Sequence, residues 1–400
     1  MRMPENDYVA LLPALIASLA ACGGGADESP PLDGRLHEDT FALVQIQVRE
    51  LLEDELVLNV LSDASIQPLW EENRAGFEEE SGLALDSLPS MHLAVHARRN
   101  GDPGFSFYVE SDAPLDLEAL AAKTGTLEAY GDEYGEGRMV RLELEVEEAG
   151  EYWLRLADWP EDAFAGRLVG SIGETVLDER AAAGDRFGPF ELATGASVEL
   201  RTVGEGEPEL LLHHVPPPRD IEGHRVYAFE GDGGHVALEP TLTMFADRTQ
   251  TLEELLREDG SELHPDVRAL FERADWSAPF VSALCLDELP LEGLDELEML
   301  LAYMGVEPGF VGDVLGVCAW ARAEGDAVRL SLRVVAEAER DVPELLDHCE
   351  GLLAALRRWR EFPDELRELA REATPSAEGD QVLVELSISR RELVDLILAW

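Results

Sequence analysis

Histidine, cysteine and the larger aromatics are the side chains of this 400-residue chain that could hold a metal, attack a carbonyl or stack on a sugar. Their spacing limits each of these. His92 and His96 lie four residues apart in a strand-like run, Met91 to Arg98, so both point to one side, roughly 13 Å apart. That is too far to share one ion, and a solvent-facing position is expected for both. His213 and His214 are adjacent at a strand end and face opposite sides. His37-Glu38 and His348-Cys349-Glu350 lack a second ligand at a useful spacing, and no HExxH, CxxC or calcium-loop pattern occurs. No metal and no cofactor is therefore expected. Gly170-Ser171-Ile172-Gly173 is not GxSxG, and its alternating context reads as a sheet turn rather than a nucleophile elbow. No phosphate loop of the GxxxxGK[ST] type is present. Carboxylates are so many that choosing two as general acid and base would be arbitrary. The aromatic group Tyr152, Trp153 and Trp159 is the best candidate for glycan stacking. The competing assignment puts one of these rings in a core and another over its edge.

Cys22 has a different chemistry. An apolar run from Tyr8 to Leu19 leads into Leu19-Ala20-Ala21-Cys22, and Gly23-Gly24-Gly25-Ala26-Asp27 follows. A short apolar stretch ending in small residues reads as an export signal, too short for a permanent membrane span. With Cys after the small residues it resembles the lipobox of bacterial lipoproteins. The resemblance implies that residues 1–21 are removed and that Cys22 is diacylated on sulfur and becomes the mature N-terminus. Two acyl chains suffice for stable anchoring, at about 0.8 kcal/mol per buried methylene. Residues 22–35 then form a tether, stiffened by Ser29-Pro30-Pro31. Glycine rather than Asp after Cys22 points to the outer membrane of a Gram-negative bacterium.

The formal charge is −53, from 84 acidic and 31 basic residues, and Lys123 is the only lysine. Such a surface repels phosphate backbones and anionic lipid, which excludes nucleic-acid partners and leaves the acyl chains as the membrane contact. The acid is spread along a chain that is 46% hydrophobic, so folded domains with a solvated acidic shell are expected rather than disorder. Salt adaptation and a GC-rich genome both account for an acidic, lysine-poor composition. Cys285 and Cys318 lie in apolar strand-like stretches and Cys349 on a helical apolar stripe, so buried free thiols are expected; a Cys285–Cys318 disulfide stays open in an oxidising compartment.

The elements that would carry these residues fall into three stretches. Residues 36–134 alternate strand and helix: a period of two over Thr40 to Arg49, helical spacing from Leu51 to Glu80, a hairpin at Asn100-Gly101, and a helix Leu115 to Ala122. Residues 136–217 carry short alternating strands separated by Gly-rich turns and end at Pro216-Pro217-Pro218, which suggests an antiparallel β-sandwich. Val140 to Val146 before Glu148-Ala149-Gly150-Glu151-Tyr152, the Leu192-Ala193-Thr194-Gly195 turn into Val198-Glu199-Leu200, and Leu210-Leu211-Leu212 make this segment similar to galactose-binding-like jelly rolls. Residues 219–400 return to strands and helices, with helices expected over Leu291 to Met304 and Asp341 to Trp359. Pro265-Asp266…Arg268…Leu270 before a strand echoes Pro363-Asp364…Arg367…Leu369 before another. The expected fold is α+β: two related strand–helix–hairpin halves with an inserted antiparallel β-sandwich. That arrangement resembles envelope proteins with repeated α+β units. Three independent consecutive domains is the competing organisation.

The function these features favour is a non-catalytic, membrane-anchored lipoprotein with a binding, scaffolding or assembly role, its partner a glycan or an envelope protein. Carbohydrate binding through the sandwich is the first alternative, and a hydrolase working through scattered carboxylates the second.

Overall fold

The computed structural model describes residues 32, 35–81, 83–97, 103–124, 126–130, 132–134, 139–157, 164–182, 185–205, 209–228, 233–257, 262–287, 289, 299, 312, 314–358 and 364–399. The signal segment, Cys22, most of the tether, the Asn100-Gly101 turn, Trp159 and, apart from Met299, the helix expected over Leu291 to Met304 lie outside these residues.

The first stretch forms β1 (Thr40–Ile46), α1 (Val48–Glu53), α2 (Glu55–Leu61), α3 (Gln67–Ser81), β2 (Met91–Ala97), β3 (Pro103–Glu110) and α4 (Leu117–Thr124). Asp54 breaks the helix between α1 and α2 because its carboxylate accepts from the backbone N–H groups of Leu56 and Val57, at 2.9 and 3.1 Å, the usual N-cap arrangement. The middle stretch forms β4 (Thr126–Tyr130), β5 (Asp132–Tyr134), β6 (Met139–Glu145), β7 (Gly150–Ala157), β8 (Ala165–Ile172), β9 (Thr175–Ala182), β10 (Arg186–Leu192), β11 (Ser197–Glu205) and β12 (Glu209–Val215). The last stretch forms β13 (Arg219–Ile221), β14 (His224–Ala228), β15 (Gly234–Glu239), β16 (Leu242–Ala246), α5 (Thr249–Arg257), α6 (Pro265–Phe271), β17 (Phe280–Cys285), β18 (Val314–Glu324), β19 (Ala327–Ala336), α7 (Val342–Leu356), α8 (Asp364–Glu372), β20 (Thr374–Glu378), β21 (Gln381–Ser389) and α9 (Arg390–Ala399).

The first and last stretches build one twelve-stranded sheet in the order β13-β14-β15-β16-β3-β2-β1-β17-β18-β19-β21-β20. Its strand pairs are antiparallel, and β1 meets β17 near the middle, with Ala42 opposite Leu284 and Ile46 opposite Phe280. Reading outward from that pair, β1-β2-β3-β16-β15 matches β17-β18-β19-β21-β20. Each half is a strand, a hairpin, and a later hairpin that adds beside the first. The fold is α+β with two related halves. The Pro265 and Pro363 segments do not mark equivalent places in it: α6 leads into the first strand of the second half, α8 into its last hairpin.

Both sheet faces are covered. Leu43, Ala94, Tyr108, Met244, Val281 and Cys318 lie under Leu252 of α5, Val267, Leu270 and Phe271 of α6, and Trp276. On the opposite face, Phe280, Ala321, Val328 and Ile388 pack against α2 and α9, and Val334 and Val382 against Val342, Leu345 and Cys349 of α7. Burial on both sides explains why strands such as β17 read as nearly continuous apolar runs.

The insert is a sandwich of a four-stranded sheet, β10-β7-β12-β4, and a five-stranded sheet, β5-β6-β11-β8-β9. Tyr152, Leu154, Leu156, Leu168, Ile172, Leu200, Leu210 and Leu212 fill its interior. The sandwich starts earlier than the expected residue 136. β4 pairs with β12 and β5 with β6, so residues 126–134 belong to it rather than to the first part of the body. Cross-strand pairing, which short polar strands do not announce in sequence, sets that boundary.

Cys285, Cys318 and Cys349 are buried free thiols. Cys318 faces Ala283 and Cys285 faces Gly316, a diagonal relation with Cα atoms about 7–8 Å apart, too long for a disulfide. Burial pushes the Cys318 thiol up to about 12 and Cys349 up to about 11, so neither is a nucleophile near neutral pH.

Candidate functional site

The helix α4 joins the two parts of the molecule, touching β12 of the sandwich and β14 and β15 of the large sheet. Among its described side chains, Leu120 and Ala121 are buried. At its start a shallow cleft of about 350 Å³ opens between Leu115, Asp116, Leu117, Glu118, Arg225, Tyr227 and Ala237. Arg225 and Tyr227 are two apart on β14 and so share a face. Arg225 Nη2 lies 3.1 Å from Glu118 Oε1, and the Tyr227 hydroxyl donates to the same oxygen at 3.4 Å. The Arg225 guanidinium sits 5.5 Å above the Tyr227 ring. Burial raises the Tyr227 phenol above its ordinary value; Arg225 opposes this, while Glu118 and Asp116 add to it.

Beneath the cleft, His235 is fully buried. Its ring lies 5.5 Å from that of Tyr227 at an angle of 11°, and 5.5 Å from Phe245 on another side. His235 Nε2 is 3.2 Å from the Leu117 carbonyl oxygen. Burial holds the imidazole down to about 4 against the pull of that carbonyl, so it is neutral at pH 7. The cleft can hold a small polar or charged group by ion pairing with Glu118 or Arg225. Among the described residues its lining has no Ser, Thr, Cys, His or Lys that could act as a nucleophile. Sequence reading missed this place because Glu118 and Tyr227 are 109 residues apart. The one available signal was the Arg225/Tyr227 spacing on a strand.

The structure corrects the expectation for His92 and His96. Both point the same way, as the strand period requires, but that way is inward: they are 4% and 3% exposed. They lie on the face covered by Leu36, α5 and α6. His96 lies against the backbone of Gly104, where a Cβ would overlap its ring, and 5.2 Å from the His37 ring. His92 Nε2 is 3.1 Å from Ser90 Oγ, and Ser90 Oγ donates to Glu110 Oε2 at 2.8 Å. Ser90 therefore sits between acid and imidazole. In a catalytic triad the imidazole occupies the middle, where it can take the serine proton. Burial lowers His92 to about 4.

Tyr152 is also corrected: it is a core residue with no exposed face. Its ring stacks on His214 at 4.6 Å and its hydroxyl donates to the Glu148 carbonyl at 2.7 Å. Trp153, on the other side of β7, is half-buried and donates from Nε1 to Glu151 at 2.8 Å. It lies opposite His213, which is also buried. Tyr152 and Trp153 therefore do not share one stacking platform, and Trp159 lies outside the described residues. A second cavity of about 380 Å³ is lined by Asp63, Asp326, Ser389, Arg390, Arg391 and Val394. Its serine is committed to the α9 capping box, donating to Glu392 Oε2 while accepting from the Glu392 N–H.

Among the described residues, no group of three or more His, Cys, Asp or Glu could hold a metal ion, and no helix is long and apolar enough to cross a membrane. No protein-family description and no curated protein matches the chain. It is similar to solved structures of TP0453 in crystal forms IV, III and I, at 10% identity in each case. Their TM-scores are 0.37, 0.38 and 0.34; the alignments cover 91%, 94% and 94% of this chain and 95%, 98% and 98% of that one.

Proposed function

We propose that this chain is a non-catalytic lipoprotein of the cell envelope, held to the outer membrane of a Gram-negative bacterium through acylated Cys22, with a binding, scaffolding or assembly role. The observation that carries it is the run Leu19-Ala20-Ala21-Cys22 after an apolar stretch and before a glycine tether. The open, shallow cleft at α4 favours recognition of a partner surface over enclosure of a substrate. Mass spectrometry of the membrane fraction tests the reading. The expected mature N-terminus is Cys22 carrying acyl chains, and Cys22→Ser releases the protein from membranes. An unprocessed, unacylated N-terminus in the cytosol overturns it.

A further inference from the structure

On the outer face of the five-stranded sheet, like charges stand directly opposite one another. Arg141 faces Arg201 across β6 and β11, and Glu143 faces Glu199 one row further along. Arg167 faces Arg180 across β8 and β9. Like charges directly opposite on one face destabilise a sheet. Cations are scarce in this chain, 31 against 84 acidic residues, so pairing Arg with Arg is a costly use of them. The Arg141–Glu143 and Arg167–Asp178 contacts, at 2.7 and 2.5 Å, relieve part of the repulsion. Arg180 and Arg201 make no ion pair among the described residues. The face is open to solvent and carries apolar groups as well: Val176 is 80% and Val203 49% exposed.

The arrangement is self-complementary. A two-fold axis lying parallel to the sheet, across the strands and between the arginine and glutamate rows, reverses the order of the rows. Arg141 and Arg201 of one copy then lie over Glu143 and Glu199 of the other, and the unpaired Arg180 over the exposed Glu174. The Arg141/Arg201 and Glu143/Glu199 pairs then form two mixed-charge quartets, Arg180 gains a carboxylate, and each contact occurs twice, as an isologous interface requires. We propose that this face docks on the same face of a second copy.

Five strands at about 4.8 Å spacing and eight residues at about 3.3 Å each give roughly 600 Å² per copy. The total of about 1,200 Å² is the lower limit of specific interfaces, so the dimer is weak and concentration-dependent. The charge of −53 on each copy opposes association at long range, but salt at physiological strength screens beyond about 8 Å while the contact pairs persist.

The test uses the full chain carrying Cys22→Ser, independent of acylation, in sedimentation velocity from micromolar to sub-millimolar concentration. The parent chain should dimerise. Arg141→Glu/Arg201→Glu and Glu143→Arg/Glu199→Arg should each lose association at least tenfold. An equimolar mixture of the two should form a heterodimer, and the quadruple exchange should restore the homodimer. Circular dichroism and melting verify folding of each variant. Should a charge variant misfold, the exposed Val176→Glu, which sets a carboxylate over the second copy's Asp178, should weaken the dimer in the same way. A monomeric parent chain across the whole range, undiminished association of the folded variants, or no heterodimer on mixing overturns the proposal.

Discussion

Arg273 grips Asp380 with both terminal nitrogens, Nη1 to Oδ1 at 2.7 Å and Nη2 to Oδ2 at 2.6 Å. The pair ties the chain after α6 to the turn between β20 and β21, joining opposite ends of the second half. The hydrogen bonds to Arg273 lower the Asp380 carboxyl below its ordinary value, and those to Asp380 raise Arg273. A carboxyl depressed in the folded state adds stability that is present above its unfolded value near 3.9 and is lost as pH falls through the folded value. The pair is partly exposed, so screening reduces its worth to about 1 kcal/mol. Asp380→Asn should cost about that much in urea denaturation at pH 7, less in high salt and nothing in strong acid. A cost unchanged at pH 2 would show that the carboxylate charge is not the cause.

Buried imidazoles should make the fold acid-labile. His92 and His235 are both held down to about 4 by burial, from an unfolded value near 6.5. Their folded forms bind fewer protons than the unfolded chain between those limits. Stability is therefore full above pH 6.5 and falls as pH drops towards 4, by about 3 kcal/mol for each. Equilibrium denaturation against pH reads this directly. His235→Gln should flatten the slope between pH 6.5 and 4; a slope equal to the parent's would remove His235 as its source.

Gly170, towards the end of β8, has φ +149°, and a Cβ there would overlap the carbonyl oxygen of Glu199 on β11. Gly170→Ala should cost about 2–4 kcal/mol because both backbone conformation and strand spacing resist the methyl group. Thermal melting checks this; a shift of under a degree would show that the sandwich tolerates the displacement.

The corrected place of Tyr152 predicts an order of effects. Tyr152→Ala should cost about 3–5 kcal/mol by emptying the sandwich core. Tyr152→Phe should cost about 1 kcal/mol, since the bond to the Glu148 carbonyl is lost while the ring stays. Trp153→Ala should cost less than Tyr152→Ala because its ring is only half-buried. If Trp153→Ala proves the most damaging of the three, the core assignment of these rings is reversed.

Much of the architecture was legible because it is local. Alternation in β6, β7 and β19, the apolar stripe of α7 and the prolines after β12 locate the sandwich and its exit. What failed is what depends on neighbours. Period two placed His92 and His96 on one side but says nothing about whether that side is covered, and β2 lies between layers on both faces. Tyr152 and Trp153 are adjacent and so face opposite sides of β7, yet only the opposing sheet decides which ring is buried. The cleft at α4 was invisible because its ion pair links chain segments that sequence reading treats separately. The repeat is clearer in strand order than in residues: nothing local in β1 resembles β17, and their equivalence rests on topology.

The pairing of β1 with β17 has a bearing on biogenesis. Ala42 waits for Leu284, so a nascent chain exposes the inner rim of its first half until most of the polypeptide has been made. The sandwich is complete by Val215, and its strands pair among themselves well before that. Synthesis thus delivers a self-contained module early and a half-built platform with an open edge, and the interval before the second half arrives is when chaperone protection matters most.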